Sequence, residues 1–447
     1  MGMKKIIAVT AILLLALTSV KAQPASELKY FGPEHFTIIN RAFGDTPTPY
    51  SRLPKSLDPA SEAYAASYSG VSDSVNVVGG NSSAVAPEQA GNTNPSRRLT
   101  KADSLMKCVW NLGMNSAGIA VRFSSDAHVI GFRWTLLNDF HMTHMAGTGV
   151  RGVDLYTYDR GSKSWKFVGT AFPKGKNSVG VAVSDMRGDV REYLAYLPLY
   201  DGVESLEIGV DSGSVVTNPL DGMMIPGDKN TRKPYVFYGT SITQGGCVSR
   251  PGMAYPAIIG RRVNCESYNF GFSGNGKMNP EILQAINGID ASAFVIDCLP
   301  NCTPEIIDER AYDFIGTLAK SHPKTPVYMV ENIQFPPALV NIGDDSLIIL
   351  KNRKWSGIYD RFRKEGVKNV RYISARNLIG TDGEATVDGV HLTDLGATRM
   401  ADGMMHVMGL NYFIPGNGHK QSPWTDVIIS LGIIVLLFLA SKIKWKQ

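Results

Sequence analysis

Between about Val109 and Val210, apolar and polar residues alternate in short runs: Ile119–Phe123, Val129–Trp134, Val153–Tyr158, Trp165–Val168, Glu192–Leu197 and Ser205–Val210. A two-residue period turns one side of each run to a core and the other to water, and turn residues recur at short intervals between the runs. The pattern predicts a β-sandwich. After Pro234 the texture changes. Apolar runs at Tyr235–Tyr238, Ser267–Phe270, Ala293–Asp297, Val327–Val330 and Val370–Ile373 alternate with helix-like stretches such as Pro304–Lys320 and Ser346–Lys364. Strands separated by helices in this way predict an α/β domain, a parallel sheet covered on both faces. Residues 58–99 fit neither texture. They are rich in Ser, Ala, Gly, Asn and Pro, which predicts a flexible insertion rather than a core element. No internal repeat is evident.

The two ends have patterns of their own. Residues 1–22 read as a signal peptide: Lys4 and Lys5, an apolar stretch Ile6–Leu17, and the small-residue cleavage site Val20-Lys21-Ala22. An N-terminal membrane anchor is the alternative, for which the apolar run is short. At the other end, Val427–Ser441 is a run of uncharged, mostly apolar residues flanked by Trp424 and by Lys442, Lys444, Trp445 and Lys446. Ile443 and the snorkelling lysine stems extend it toward the roughly 20 residues of a span. The expectation is a transmembrane helix over 427–443 that anchors the protein. The lysines would place the C-terminus in the cytoplasm and the body on the exported, periplasmic or cell-surface side. A sorting tail removed after export would carry the same pattern.

Charge narrows the partners. The net charge of +5 owes six positives to Lys4, Lys5, Lys21, Lys442, Lys444 and Lys446, in segments with no acids. The body between them is near neutral, with no basic field to attract nucleic acid. A length of 447 residues with 44% hydrophobic content supports two or three domains with real cores. The five cysteines, Cys108, Cys247, Cys265, Cys298 and Cys302, are an odd number, so at least one thiol is unpaired within the chain. Cys298 and Cys302 are near enough to be bridged if the backbone turns. Zinc ligation is disfavoured, because no CxxC or neighbouring histidine pair completes a site.

Candidate chemistry lies in the second domain, where sites of parallel sheets form at the carboxyl ends of the strands. Ser241 follows the first strand, in Tyr238-Gly239-Thr240-Ser241-Ile242-Thr243. The second strand leads into Asn269–Gly276, whose glycines let backbone N–H groups approach a substrate oxygen closely. The third leads to Asp297-Cys298-Leu299-Pro300-Asn301, which offers a neutral side-chain donor. Asp388 and His391 precede a helix predicted to start near Thr393. Serine is unreactive at neutral pH until a base takes its proton, and an imidazole base needs a carboxylate to fix its tautomer. Each signal alone is weak: a serine after a strand is most often a turn or cap residue, and Asp388 alone would serve to cap the coming helix. Their conjunction in this order, at successive strand ends, points to a serine hydrolase.

These four segments resemble the four blocks of the SGNH (GDSL-type) hydrolases. The resemblance implies Ser241 as nucleophile, Gly274 as the second-block glycine, Asn301 as the third-block asparagine, and Asp388 with His391 as the final pair. One departure is visible: the acid of the GDS signature is Thr240 here, a position that is not catalytic in the family. No GxSxG elbow of the α/β-hydrolases occurs. Gly152-Val153-Asp154-Leu155-Tyr156 resembles the GxDLY signature of a β-sandwich domain that precedes some SGNH-type esterases. Phe36–Pro54, Val109–Leu112, Ser116–Ile119 and the stretch Gly239–Pro256 agree with that subgroup. The implied fold is a flavodoxin-like parallel sheet sandwiched by helices, preceded by a jelly-roll-like β-sandwich and followed by the transmembrane helix. The implied domains are a sandwich over 28–226 carrying the 58–99 insertion, a hydrolase domain over 232–412, a linker over 413–426 and the span over 427–443.

By resemblance, the reaction is hydrolysis of O-acyl esters through an acyl-enzyme on Ser241. The N–H groups of Ser241 and Gly274 and the Asn301 amide would form the oxyanion hole, and no metal or organic cofactor is needed. Family analogy and compartment suggest O-acetyl esters on carbohydrate. A lipid or lysophospholipid esterase and an O-acyltransferase are alternatives using the same groups, and a non-catalytic glycan-binding protein is the alternative of another class. Two further features stay open. His141 and His144, with Met142 and Met145, sit just before the GxDLY-like segment, where a metal site is imaginable but packing or contact with the neighbouring domain is simpler. Arg250 follows the nucleophile turn and is placed either at substrate or on the surface.

Overall fold

The computed structural model describes residues 24–61, 64, 101–219, 233–376, 378–410, 412–413 and 420–421. The expected signal peptide (1–22), most of the 58–99 insertion and the expected span (427–443) lie outside them.

The first half builds two antiparallel sheets. Its strands are β1 (Lys29–Phe31), β2 (Thr37–Ile39), β3 (Ala120–Ser125), β4 (Ile130–Leu136), β5 (Val153–Asp159), β6 (Ser164–Ala171), β7 (Asn177–Val183), β8 (Arg191–Tyr196), β9 (Val203–Val210) and β10 (Val216–Thr217). One sheet has the order β1-β9-β4-β7; the other has β10-β3-β8-β5-β6, with β2 also paired to β3. Side chains of alternate residues, among them Val121, Phe123, Phe132, Trp134, Leu155 and Tyr193, fill the space between the sheets. The alternation that predicts a sandwich is therefore real, but β5 is buried on both faces. Val153 and Leu155 face the sandwich core, whereas Tyr156 joins Leu194, Tyr196 and Leu199 in a second core shared with the other half of the chain. Helix α1 (Lys101–Gly113) and the short α2 (Gly147–Arg151) belong to this half.

The second half alternates as its texture predicts. Strands β11 (Tyr235–Gly239), β12 (Ser267–Gly271), β13 (Ala293–Asp297), β14 (Val327–Val330) and β15 (Val370–Ile373) form one all-parallel sheet of order β12-β11-β13-β14-β15. Both faces are covered. Phe237, Val295 and Val330 pack on one side against residues of helices α4 (Tyr255–Val263) and α8 (Asp394–Val407). Tyr238, Ile296 and Met329 pack on the other against α5 (Pro280–Asn287), α6 (Pro304–Ser321) and α7 (Ile342–Lys364). Helix starts follow local chemistry. Thr303 accepts from Ile306 N–H ahead of Pro304, Thr393 accepts from Gly396 N–H, and Asn341 accepts from the N–H groups of Gly343 and Asp344. The Asn341 cap starts α7 at Ile342, four residues before the Ser346 that the pattern suggests. In this strand order the crevice at the carboxyl ends opens beside β11, where the chain reverses its direction across the sheet.

One expectation is corrected. The fold was expected to end in a membrane-spanning helix that anchors the protein with its C-terminus in the cytoplasm. No helix among the described residues is long and apolar enough to cross a membrane. The physical reason is charge: α6 and α7 have the length, but Asp308, Glu309, Arg310 and Asp313 on one and Asp344, Asp345, Arg353 and Lys354 on the other cannot sit in hydrocarbon. The Val427–Ser441 run is itself short of the roughly 20 residues of a span.

Candidate active site

Strand β11 ends at Gly239, and the chain turns directly into α3, the four-residue helix Ser241–Gln244. Thr240 caps it, its hydroxyl accepting from Ile242 N–H at 3.2 Å. The position where the family signature has an acid is here a neutral helix cap. The turn holds Ser241 at the carboxyl end of the sheet, and Ser241 Oγ lies 2.9 Å from His391 Nε2. On the far side of the ring, His391 Nδ1 is 2.7 Å from Asp388 Oδ2. Asp388 Oδ1 accepts from the N–H groups of Val390 and His391, at 3.0 and 2.8 Å, so the carboxylate is fixed by its own turn. Partial burial pushes this carboxyl up, but the hydrogen bonds from His391 and Val390 outweigh it and bring it down to about 2. It is therefore ionised at any working pH. The three groups, brought together from two distant segments, form a hydrogen-bonded Ser–His–Asp relay, an arrangement that can activate a serine.

The second and third segments lie beside this relay. Gly274 has φ +69 with open space where a side chain would begin, a left-handed turn at the surface that suits glycine. Two residues on, Gly276 lies against the Gly239 carbonyl so closely that a Cβ would collide with it. Gly276 N–H donates to Asn301 Oδ1 at 3.3 Å, which commits the oxygen of that amide and leaves its NH₂ to face elsewhere. Gln244, from α3, accepts from Ser273 N–H at 3.1 Å and donates to the Leu199 carbonyl at 2.9 Å. The serine turn, the glycine loop and Asn301 are thus one bonded unit.

Several residues that hold this unit were not legible in the sequence. Arg52, from the first half, is buried and donates to the carbonyls of Leu112, Asn115, Asn269 and Gly271, with no carboxylate among these partners. Burial brings its pKa down to about 9, and the four carbonyls tie both halves of the chain to the end of β12. Arg250 is half-buried and engaged by the first half of the chain. It pairs with Asp154 at 2.9 Å, bonds to Tyr156 Oη, and stacks over Phe167 at 3.7 Å. Asp154 also accepts from Gly252 N–H. The Asp and Tyr of the GxDLY-like segment therefore clamp the loop that follows α3. His144 reaches the relay as well, with Nε2 3.9 Å from Asp388 Oδ2, so the histidine segment contacts the neighbouring half of the chain.

Beneath the relay, Asp297 at the end of β13 accepts from Tyr255 Oη and Thr243 Oγ1, at 3.1 and 3.2 Å. Burial raises this carboxyl to about 7 against those two bonds. The folded chain thus keeps a proton on Asp297 up to a pH at which the unfolded chain, with an ordinary value of about 4, has lost it. Stability should fall as pH rises from about 4 through 7. In Asp297→Asn that slope should flatten, read as a smaller difference in urea midpoint between pH 5 and pH 8; an undiminished difference would show that Asp297 is ionised throughout. All five cysteines are free thiols. Cys298 and Cys302 are not bridged; Cys302 Sγ instead contacts the Cys298 carbonyl at 3.3 Å. Burial, with Asp388 nearby, pushes the Cys247 thiol up to about 12, so in the metal-free protein Cys247 stays a neutral thiol.

The GDSL-like lipase/acylhydrolase family matches residues 232–409, and the N-terminus of the SGNH hydrolase-type esterases, the GxDLY domain, matches residues 85–216. The second half of the chain thus matches the GDSL-like lipase/acylhydrolase family, and much of the first half matches the GxDLY domain. The protein is a carboxylic ester hydrolase in which a GxDLY domain precedes the GDSL-like domain. A crystal structure described as a GDSL-like lipase from Bacteroides ovatus is similar over 87% of this chain and 100% of its own, with 29% identity and a TM-score of 0.69. A salicylyl acyltransferase from a tetracycline biosynthetic pathway shares the fold over 86% of this chain and 98% of its own, at 13% identity and a TM-score of 0.59. A family two carbohydrate esterase from Clostridium thermocellum covers 64% of this chain and 90% of its own, at 13% identity and a TM-score of 0.47. No functionally curated protein matches the chain. In this chain the GxDLY domain contributes contacts to the loop after the Ser241–Gln244 helix.

Proposed function

We propose that the protein hydrolyses O-acyl esters through an acyl-enzyme on Ser241, and that its natural substrate is an O-acetyl ester on carbohydrate. The continuous hydrogen-bonded line Ser241–His391–Asp388, at 2.9 and 2.7 Å, supports the first part. His391 Nε2 takes the Ser241 proton as Oγ attacks the acyl carbon, and Asp388 holds Nδ1–H and stabilises the imidazolium. The tetrahedral oxyanion is held by the N–H groups of Ser241 and Gly274 and the Asn301 NH₂. His391 then delivers the proton to the leaving alcohol, the Ser241–acyl ester remains, and water activated by the same imidazole releases the acid.

Asn301→Ala should lower kcat by roughly a hundredfold or more, because one oxyanion donor is worth about 3 kcal/mol of barrier. Ser241 should remain reactive toward a fluorophosphonate probe in that variant; a kcat within a few-fold of the parent would remove Asn301 from the oxyanion hole. For the substrate, the surroundings of the relay are polar: His144, Ser273, Asn275 and Asn301 are at least partly exposed around it. That suits a small acyl group on a hydrophilic alcohol. A second reading, a lipid ester, is favoured by Leu339, Val340 and Ile342, which are more than 80% exposed just beyond the Pro337 that packs on Gly389. Release of acetate from acetylated oligosaccharides, against release of fatty acid from long-chain esters, separates the two.

A further inference from the structure

We propose that His144, Cys247, Asp388 and His391 form a binding site for a thiophilic divalent cation, of which zinc is the test case, and that filling it switches the esterase off. One ligand atom from each of these residues lies within 4.8 Å of all the others. Tetrahedral zinc with nitrogen, oxygen and sulfur ligands separates its donors by roughly 3.3–3.8 Å, so closing the four on an ion takes side-chain rotations of about 1 Å. Three features favour such closure. His144 is on an exposed loop of the sandwich half and already faces Asp388, its ring 5.8 Å from that of His391. Cys247 is buried beneath them at φ +71, in a turn between the nucleophile helix and the clamped loop. Asp388 supplies the negative charge that a dication requires. The donor set of two imidazoles, one thiol and one carboxylate suits zinc better than magnesium or calcium, which take oxygen ligands.

The spacing in sequence hides this site, since only Asp388 and His391 are neighbours along the chain. Its effect on catalysis follows from the ligands. A cation on His391 Nε2 removes the acceptor for the Ser241 proton, and one on Nδ1 displaces the bond to Asp388. Either way the base is lost while Ser241 itself is untouched. The inhibitory half of the proposal rests on the esterase reading above; the binding half does not.

Two measurements on the full chain separate these halves. Cobalt(II) added to the Ser241→Ala variant should give tetrahedral visible bands and a thiolate charge-transfer band in the near ultraviolet, with the latter lost on adding Cys247→Ser. Zinc should inhibit the parent reversibly, with recovery on adding a chelator. The ratio of activities with and without zinc, taken within each variant, should shift to roughly tenfold or higher zinc in His144→Ala and in Cys247→Ser. A cobalt spectrum of Ser241→Ala without a thiolate band would overturn the site. Equal zinc sensitivity in parent, His144→Ala and Cys247→Ser would overturn its role in inhibition. Absence of any esterase activity in the metal-free parent would instead refute the Ser241 reading, and the cobalt spectrum would still decide whether the cation site exists.

Discussion

Ser241→Ala should reduce kcat for any ester by roughly 10⁴–10⁶-fold and abolish labelling by a fluorophosphonate, while leaving the melting temperature where it is. The size of the effect follows from the removal of the attacking atom. What survives is whatever the oxyanion donors and substrate binding contribute to attack by water. The unchanged stability follows from the surroundings of the hydroxyl. Its contact is His391 Nε2, and that ring keeps its bond to Asp388. The loss therefore leaves no buried, unpaired group. Full-stoichiometry labelling of the Ser241→Ala protein would move the nucleophile elsewhere and end the reading of this site.

Asp154→Ala should be the most damaging change outside the relay, costing about 3–5 kcal/mol, the usual consequence of removing one partner of a buried ion pair. Asp154 is fully buried, and burial pushes its carboxyl up while Arg250 and Arg261 pull it down. Without it Arg250 loses its counter-charge and Gly252 N–H loses its acceptor. The loop between the nucleophile helix and α4 is then released from the sandwich. A lower melting temperature should thus come with a lower kcat, and Asp154→Asn, which keeps an acceptor for Gly252, should fall between the two. Melting of Asp154→Ala at the parent temperature would show that the GxDLY-like signature is not the clamp described here.

The two predictions differ in how legible their residues were. Ser241 was readable because a strand that is apolar on both faces ends at Gly239, and the chemistry of serine, histidine and aspartate is the same wherever they lie. All five strands of the parallel sheet were readable for the same reason: burial on both faces leaves continuous apolar runs. Strand β7 and helix α1 were not singled out. Asn177–Val183 is built of small residues with a glycine at its centre, and most of it is only half-buried. Lys101–Gly113 follows directly on the low-complexity stretch that masks its start. The first turn of α7 was missed because Leu339, Val340 and Ile342 are exposed, so polarity does not mark the boundary. Arg250 was open between substrate and surface because its partner is 96 residues away on a strand whose second buried face cannot be read from alternation.

The sequence by itself determined the texture of each half, the order of the strands along the chain, the serine, histidine and aspartate that the fold brings together, and the class of chemistry. These depend on local periodicity and on the intrinsic reactivity of side chains. Tertiary structure alone decided that the outer face of β5 and β8 docks on α4 and the loop before it, and that Arg52 and Asp154 hold the active-site loops from the other half of the chain. It also decided that His144 and Cys247 stand beside Asp388 and His391. Such pairings arise because two separately patterned surfaces bury their apolar residues against each other, and the polar groups caught at that boundary must find partners there. No local pattern specifies which they will be.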